Sequence, residues 1–303
     1  MHTATTKMIT RREAVRLLGS ASVGAYFSIA PTASPAGAEE DSTPPLAAGA
    51  PMSPERIALI TAFKEKSSAV VESFEGRTYK SDWVMPYRLF RPAASGKLPL
   101  VLYLHGSGGL GDDNQKQMGF GNIFGTRVWA LPENQRLFSC YVVVPQTDRG
   151  WNRYAPPSAG DTIAKAIPGL GDGARLALEV VDALCREFTI DKRRIYVTGQ
   201  SMGGAGTWNV ITYRPHFFAA AVICCGSIST EDGSGSIDTP LWNFHGDSDK
   251  TVPVSTSRAR MAARRKAGGH PLYTEYAGVD HNVWEWAYTE PELVKWMFAQ
   301  RRS

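Results

Sequence analysis

A serine at the centre of a glycine-flanked pentapeptide is the residue whose surroundings most clearly indicate chemistry. Residues 199–203 read Gly-Gln-Ser-Met-Gly, after the run Ile-Tyr-Val-Thr and before a helix-forming stretch. A sharp turn from strand to helix exposes such a serine, and only glycine tolerates the close backbone contacts on both sides. We therefore predict that Ser201 is a nucleophile and not an inert serine in a glycine-rich turn.

A serine hydroxyl is a poor nucleophile until a neighbouring base removes its proton. Four histidines follow Ser201 in the chain. His281 comes after a predicted strand, so it should lie at the sheet edge where the serine is expected, and we predict that it is the base. His216 and His270 are interpreted as residues outside that edge. His245, at the end of another strand, is interpreted as structural.

The third member of such a site must orient the imidazole and stabilise its protonated form. The segment 245–253 (HGDSDKTVP) offers two aspartates at the end of a strand. We predict that Asp249, deeper in the loop, is this acid, and that Asp247 orders the loop. Asp280 is adjacent to the base and is not expected to reach its ring nitrogen.

A glycine-rich stretch follows the first apolar strand and reads His-Gly-Ser-Gly-Gly at 105–109. We predict that the backbone N–H groups of Ser107 and Met202 form an oxyanion hole there. The glycines at 106, 108 and 111 also match a dinucleotide-binding loop. That alternative requires a helix directly after the last glycine and an acid ending a second strand, whereas a polar segment follows.

No pattern in the chain calls for a metal or an organic cofactor. Neither C-x-x-C nor H-E-x-x-H occurs, and we predict that neither kind of group is needed. The four cysteines are interpreted as small buried side chains. A bridge between Cys140 and Cys185 is the alternative in an oxidising compartment, although spacing alone does not give connectivity.

Strand-like and helix-like segments alternate along most of the chain. Predicted strands cover residues 69–75, 83–91, 98–105, 141–145, 195–198, 219–225, 240–245 and 271–276. Predicted helices cover residues 53–66, 203–213, 255–267 and 290–300, with another along 177–188. A capping box at Thr289 and Glu292 should open the last helix. This alternation predicts an α/β fold with a mainly parallel sheet and helices on both faces.

Composition excludes several other classes of protein. The chain has 303 residues, of which 43% are hydrophobic and 20% charged, which is unlike a disordered or collagen-like chain. Its formal net charge is +4. The first 38 residues hold much of this excess, so the remainder gives no basic face for nucleic acid.

The first 38 residues have the features of a twin-arginine export signal. Arg11-Arg12 precedes a weakly apolar stretch, and Ala36-Gly37-Ala38 forms a small-residue cleavage site. The apolar stretch is too short and too polar for a stable membrane anchor. We predict an exported protein, periplasmic or secreted, with a tether and helix at residues 39–68 and a catalytic domain at residues 69–303.

Four motifs together resemble the α/β-hydrolase superfamily. They are HGSGG at 105–109, GQSMGG at 199–204, HGDSDKTVP at 245–253 and GVDHNVWEWAY at 278–288. The resemblance is to secreted esterases and predicted peptidases related to polyhydroxybutyrate depolymerases, dienelactone hydrolases and the prolyl oligopeptidase catalytic domain. It implies a triad of Ser201, Asp249 and His281, with the acid three residues before the Val-Pro pair.

The resemblance also implies hydrolysis of carboxylic esters through an acyl-enzyme. Acyl or feruloyl groups on glycans, and polyesters, are the expected small-molecule or polymer substrates. A serine peptidase of the prolyl oligopeptidase type is the alternative enzyme, and a binding protein on an inactive scaffold is the alternative outside enzymes. Among the aromatic residues of the long loops, Trp151 is predicted to contact substrate. Trp286 is interpreted as packing.

Overall fold

The structure is a computed structural model that describes residues 53–154, 166–226 and 237–303. The predicted export signal at residues 1–38 and most of the predicted tether lie outside these residues. Within the described ranges, no helix has the length and apolar character needed to cross a membrane.

Ten strands and eight α-helices occur in the described part of the chain. The strands are β1 (Phe74–Lys80), β2 (Val84–Phe90), β3 (Leu98–Leu104), β4 (Tyr141–Pro145), β5 (Asn152–Tyr154), β6 (Ala166–Leu170), β7 (Ile190–Gln200), β8 (Ala220–Cys224), β9 (Leu241–Gly246) and β10 (Leu272–Tyr276). The helices are α1 (Pro54–Ser67), α2 (Ile123–Arg127), α3 (Pro132–Leu137), α4 (Asp172–Glu187), α5 (Met202–Tyr213), α6 (Val254–Lys266), α7 (Trp284–Ala287) and α8 (Leu293–Ala299).

Eight of these strands form one sheet in the order β1-β2-β4-β3-β7-β8-β9-β10. The pairs from β4 to β10 are parallel, whereas β1 and β2 join at one edge in antiparallel orientation. β5 and β6 form a separate antiparallel pair. The mainly parallel sheet predicted from the sequence is confirmed. Its parallel strands bring their carboxyl ends to the same edge, where ligands bind in such folds.

Helices cover both faces of the sheet, as predicted. Side chains alternate between the faces along a strand, and on β3 the side chains of Val101 and Tyr103 join one hydrophobic cluster while those of Leu100 and Leu102 join the other. Buried residues of α1 and α8 belong to the first cluster, and those of α4, α5 and α6 to the second. Because both faces are covered, strands such as β3 are apolar throughout.

Two of the predicted elements are wrong at their ends. Residues 69–73 form a 3-10 helix instead of a strand, and β1 begins at Phe74. The capping box at Thr289 does not form, because the residue before helix α8 is Glu292 and Thr289 belongs to the preceding turn, where its hydroxyl donates to the carbonyls of Glu285 and Trp286. Helix α8 consequently begins at Leu293, three residues later than predicted.

All four cysteines are free thiols, and three of them are buried. This agrees with their interpretation as small buried side chains. Cys140 belongs to the cluster on one face of the sheet, whereas Cys185 packs against the cluster on the other face. The alternative of a Cys140–Cys185 bridge is therefore wrong, because the sheet separates the two sulfur atoms.

Candidate active site

Ser201 occupies a strained turn between β7 and α5. Its backbone angles are φ 52° and ψ −120°, a region that costs a non-glycine residue of order 1–3 kcal/mol. A Cβ atom on Gly203 would collide with the carbonyl oxygen of Leu104, and one on Gly199 with the carbonyl oxygen of Gly203. The two glycines thus allow the tight turn that holds the hydroxyl above the end of the sheet.

The structure brings Ser201, His281 and Asp249 together. His281 Nε2 lies 2.8 Å from Ser201 Oγ, and His281 Nδ1 lies 2.8 Å from Asp249 Oδ2. Asp249 comes from the loop after β9 and His281 from the loop after β10. The aspartate side chain is fully buried, while the imidazole is 19% exposed. His216 and His270 are exposed elsewhere. With its Nδ1–H donated to the carboxylate, the imidazole can accept the serine proton at Nε2.

Backbone amides fix the orientation of the buried carboxylate. Asp249 Oδ1 accepts hydrogen bonds from the N–H groups of Thr251 and Val252, both at 2.8 Å. Asp247 instead accepts from the N–H of Gly278 at 2.7 Å. Of the two aspartates in HGDSDKTVP, only Asp249 therefore reaches the imidazole, and Asp247 ties two loops together.

Asp280 also has a local role in loop structure. Its carboxylate accepts hydrogen bonds from the N–H groups of Lys250 and His281 at 3.0 and 2.7 Å. These bonds hold the pKa of Asp280 below its usual value. The residue therefore connects the acid's loop to the base's loop through the backbone and does not bind the imidazole ring.

His245 lies against the acid from the other side. Its Nε2 is 3.2 Å from Asp249 Oδ2 and 3.0 Å from the carbonyl oxygen of Val252, and its Nδ1 is 2.7 Å from Ser257 Oγ. The side chain is fully buried, and this burial lowers the pKa of the imidazole. The sequence interpretation as a structural residue missed this contact, because spacing does not show which way a strand-terminal histidine faces.

The two predicted oxyanion donors lie at the ends of neighbouring strands. Met202 begins α5, where the first backbone N–H groups have no acceptor within the helix. In the loop after β3, the N–H of Gly106 donates to Asn122 Oδ1 at 2.9 Å, and the N–H groups at 109–110 close the turn. These bonds do not use the N–H of Ser107, which lies next to the strand that carries the nucleophile.

Buried amide side chains, which sequence reasoning missed, support this loop. The hydroxyl of Tyr103 lies 2.8 Å from Gln200 Oε1 and 3.2 Å from Asn122 Oδ1. A Cβ atom on Gly121 would lie 3.0 Å from Gln200 Nε2 and 2.9 Å from the Trp284 ring. The segment around Gly121 therefore packs directly against the nucleophile turn. Gln200 fills the variable position of the pentapeptide, for which the motif predicts no role.

The prediction that Trp151 contacts substrate is wrong. Its side chain is fully buried, its Nε1–H donates to the carbonyl of His105 at 2.8 Å, and its ring lies edge-on to that imidazole. Gly206 of α5 packs against it so closely that a Cβ atom there would collide. A tryptophan beneath the strand ends shapes the floor of the site but does not reach a ligand. Trp286 is buried in the core, in agreement with its interpretation as packing.

A third side chain with metal-binding chemistry lies beside the acid and the base. Ligand atoms of Cys225, Asp249 and His281 all lie within 4.8 Å of one another. Burial raises the pKa of the Cys225 thiol well above its usual value, and its Sγ donates to the carbonyl of His281. A protonated thiol beside a carboxylate and an imidazole that bind each other does not fit a resident metal site.

Comparisons with known proteins agree with this fold. A family model described as the prolyl oligopeptidase family matches residues 176–234. The crystal structure of a thermostable esterase is 33% identical, with a TM-score of 0.69, over 77% of this chain and 64% of that one. The chain belongs to the α/β-hydrolase superfamily.

Two curated relatives of this α/β-hydrolase have esterase names. A protein of Oryza sativa subsp. japonica, described as a probable carboxylesterase, is 26% identical over 63% of this chain and 84% of its own length. A bifunctional acetylxylan esterase/xylanase of Neocallimastix patriciarum is 28% identical over 24% of this chain. The match to that bifunctional protein spans only 11% of its length.

Proposed function

We propose that this α/β-hydrolase is a serine esterase that cleaves carboxylic esters through an acyl-enzyme on Ser201. The observation that carries the proposal is the line of two 2.8 Å contacts from Ser201 through His281 to Asp249. A buried carboxylate fixes the imidazole tautomer and stabilises its protonated form. A binding protein on an inactive scaffold would have no use for this arrangement on a strained turn.

The first half of the reaction transfers the acyl group to the serine. Ser201 Oγ forms a bond to the ester carbon while its proton moves to His281 Nε2. The carbonyl oxygen becomes an oxyanion, which accepts hydrogen bonds from the N–H groups of Met202 and Ser107. As the carbon–oxygen bond to the alcohol breaks, His281 returns the proton to the departing oxygen.

The second half repeats these steps with water. His281 Nε2 takes a proton from the water, whose oxygen bonds to the acyl carbon and forms a second oxyanion. Ser201 Oγ then leaves and recovers the proton from His281, and the carboxylic acid is released. At the end of the cycle each side chain of the triad has its original proton again, and the ester and water have become a carboxylic acid and an alcohol.

The proposed substrates are acyl or feruloyl esters of glycans, or polyesters. The names of the acetylxylan esterase and carboxylesterase relatives support an ester as the bond that is cleaved. An alkoxide is a better leaving group than an amide nitrogen, so the same triad breaks esters more readily.

A serine peptidase is the second candidate, favoured by the match of residues 176–234 to the prolyl oligopeptidase family. This segment contains the nucleophile turn and most of helix α4, which precedes it. A peptidase would use the same acylation step, with His281 protonating an amine in place of an alcohol. The two candidates thus differ in substrate, and a substrate panel separates them.

The proposal includes export across the cytoplasmic membrane. Its support is the pair Arg11-Arg12 in the sequence, followed by a weakly apolar stretch and a small-residue cleavage site. Lysine at both arginine positions should retain the protein in the cytoplasm of its host. Unchanged export of that variant would contradict a twin-arginine route.

Loss of the nucleophile tests the reaction class. The purified protein should react stoichiometrically with a fluorophosphonate, and Ser201→Ala should abolish both labelling and acyl-enzyme turnover, a loss of roughly 10⁶-fold by analogy with triad serines. Ser139→Ala, which removes a hydroxyl bonded to Gln135 far from the turn, is the matched control. Full activity in Ser201→Ala would refute the proposal.

A substrate panel tests the reaction's specificity. Short-chain aryl esters, acetylated and feruloylated glycans, polyesters and blocked peptides should be compared at equal concentrations of active sites. We expect the highest kcat/KM on an ester. Cleavage of the peptides alone would favour the second candidate.

A further inference from the structure

Two histidines bind the carboxylate of Asp249. His281 approaches Oδ2 at 2.8 Å with Nδ1, and His245 approaches the same oxygen at 3.2 Å with Nε2. Both the carboxylate and the second imidazole are fully buried. Buried polar groups need hydrogen-bond partners, so His245 and the loop that carries Asp249 must provide partners for each other.

The surroundings of His245 determine which of its ring nitrogens carries the proton. Nε2 lies 3.0 Å from the carbonyl oxygen of Val252, which can only accept a hydrogen bond. A neutral imidazole therefore carries its proton at Nε2 and shares it between that carbonyl and the Asp249 carboxylate. Nδ1 is then the acceptor for the hydroxyl of Ser257, 2.7 Å away on α6.

The charged groups around His245 are already engaged. Glu275 lies opposite it on β10, and the guanidinium of Arg258 binds that carboxylate. The negative charge of Asp249 is shared with His281 and two backbone N–H groups. Because both carboxylates already have partners, they do not require a positive charge on His245. Its imidazole can therefore serve as a neutral hydrogen-bond donor in a fixed position.

We propose that His245 is a positioning residue of the triad: the contact of its Nε2 with Asp249 Oδ2 fixes the carboxylate that orients His281. It also holds Val252, whose N–H donates to Asp249 and whose carbonyl accepts from the histidine. The line of contacts then runs from Ser257 on α6 through two histidines to Ser201. This inference rests on the proposed serine-hydrolase function.

Two substitutions separate positioning from simple space filling. In His245→Gln the side-chain amide nitrogen reaches about as far as Nε2, so it can still donate to Asp249 and Val252. In His245→Asn the amide reaches only about as far as Nδ1, so the contact with the carboxylate is lost while a polar side chain remains. Both variants remove the ring, but only the glutamine can restore the contact with the carboxylate, whereas only the asparagine amide lies where Nδ1 meets Ser257.

We expect His245→Asn to lower kcat by about 10- to 100-fold, the range found for residues that orient metal-binding histidines, with KM little changed. In the dependence of its kcat/KM on pH, the decline on the acid side should be displaced, because His281 then faces an altered carboxylate. His245→Gln should keep most of the kcat of the unmodified protein, and its kcat/KM should decline over the same acidic pH range as in the unmodified protein. Equal losses in the two variants, or a loss without displacement of this decline, would overturn the proposal.

Nuclear magnetic resonance of the unmodified protein provides a test that does not depend on how the two His245 variants fold. In the ¹⁵N spectrum, the ring of His245 should be protonated at Nε2 and bare at Nδ1 when it is neutral. Its signal is identified by the change that it undergoes in Ser257→Ala. The opposite tautomer would overturn the proposal.

These outcomes are distinct from failure of the proposed function. A protein that is not a serine hydrolase would neither react with a fluorophosphonate nor turn over an ester. Failure of the positioning role would instead leave the unmodified protein fully active and labelled, with His245→Asn resembling His245→Gln. His216→Gln, at an exposed histidine beside Asp238, is the control for loss of an unrelated imidazole.

Discussion

The oxyanion loop (residues 105–111) and the acid loop (residues 245–253) begin alike and work in opposite ways. Each starts with a fully buried histidine followed by glycine at the end of a parallel strand. In the acid loop, backbone N–H groups hold a functional side chain, the carboxylate of Asp249. In the oxyanion loop, the side chain of Asn122 instead holds the backbone that we propose as an oxyanion donor.

This difference decides how each loop responds to substitution. In the acid loop, a single substitution at Asp249 removes the carboxylate. Apart from proline, no substitution at Ser107 removes its backbone N–H, so most side-chain changes can weaken the oxyanion loop only through the residues that support it. The acid loop should therefore show the largest single effects, and the oxyanion loop smaller and more distributed ones.

The largest loss of activity in either loop should come from Asp249→Asn. The amide keeps the shape of the side chain but favours the wrong imidazole tautomer, so kcat should fall by roughly 10⁴-fold. Asp247→Asn is the matched control on the same loop and should keep most of the activity. Steady-state turnover of an aryl ester measures both. The reverse ranking would assign the acid to Asp247.

Acid should destabilise both loops through their buried histidines. Burial lowers the pKa of His105 to about 4 and also lowers the pKa of His245. In the unfolded chain these rings bind protons below about pH 6.5, so the unfolded state gains protons and stability falls as the pH drops. For His105 the loss between pH 6.5 and 4 should be about 3 kcal/mol.

Urea unfolding as a function of pH checks this expectation. His105→Gln should flatten the decline of the free energy of unfolding below pH 6.5. His216→Gln, at an exposed histidine, should keep the slope of the unmodified protein. A slope that His105→Gln leaves unchanged would show that other groups account for the acid sensitivity.

A smaller effect should follow from weakening the support of the oxyanion loop. Asn122→Ala removes the acceptor for the N–H of Gly106, so the amide of Ser107 should lose its alignment. We expect kcat to fall by about 10- to 100-fold, less than the 10²–10³-fold typical for removal of a donor itself. Asn134→Ala, whose amide binds the carbonyl of Val128, is the control. Equal activity of the two variants would exclude this support role.

The smallest effect should be that of Trp151→Phe. This change removes the hydrogen bond to the carbonyl of His105 but keeps an aromatic ring beneath the oxyanion loop. The free energy of unfolding should fall by about 1–2 kcal/mol, with KM unchanged on every ester. A selective change in KM for one substrate would restore the original prediction of a ligand contact at this position.

The mainly parallel sheet and the nucleophile turn could be anticipated because long apolar runs and glycine spacing reflect steric requirements. The turn at Ser201 is such a case, since any side chain at Gly203 would collide with the carbonyl of Leu104. The error at Trp151 has the opposite origin. A tryptophan in a glycine-rich loop has the same local pattern whether its ring faces a ligand or packs under a helix.

Contacts between distant segments were also beyond the reach of local patterns. The role of Asn122 depends on a bond to Gly106, and that of His245 on which face of β9 it occupies. The capping box at Thr289 failed for a related reason, because the preceding turn extends to this residue and helix α8 begins only at Leu293.

Strand β8 lies between the strands of the nucleophile and the acid, yet it supplies no group to the proposed reaction. The N–H of Ser201 binds the carbonyl of its last residue, Cys224, and the next side chain, Cys225, lies within 4.8 Å of the ligand atoms of His281 and Asp249. Its thiol donates to the carbonyl of His281. A strand without a reacting group therefore contacts all three members of the proposed triad, and the size of the side chain at position 225 should influence how they are spaced.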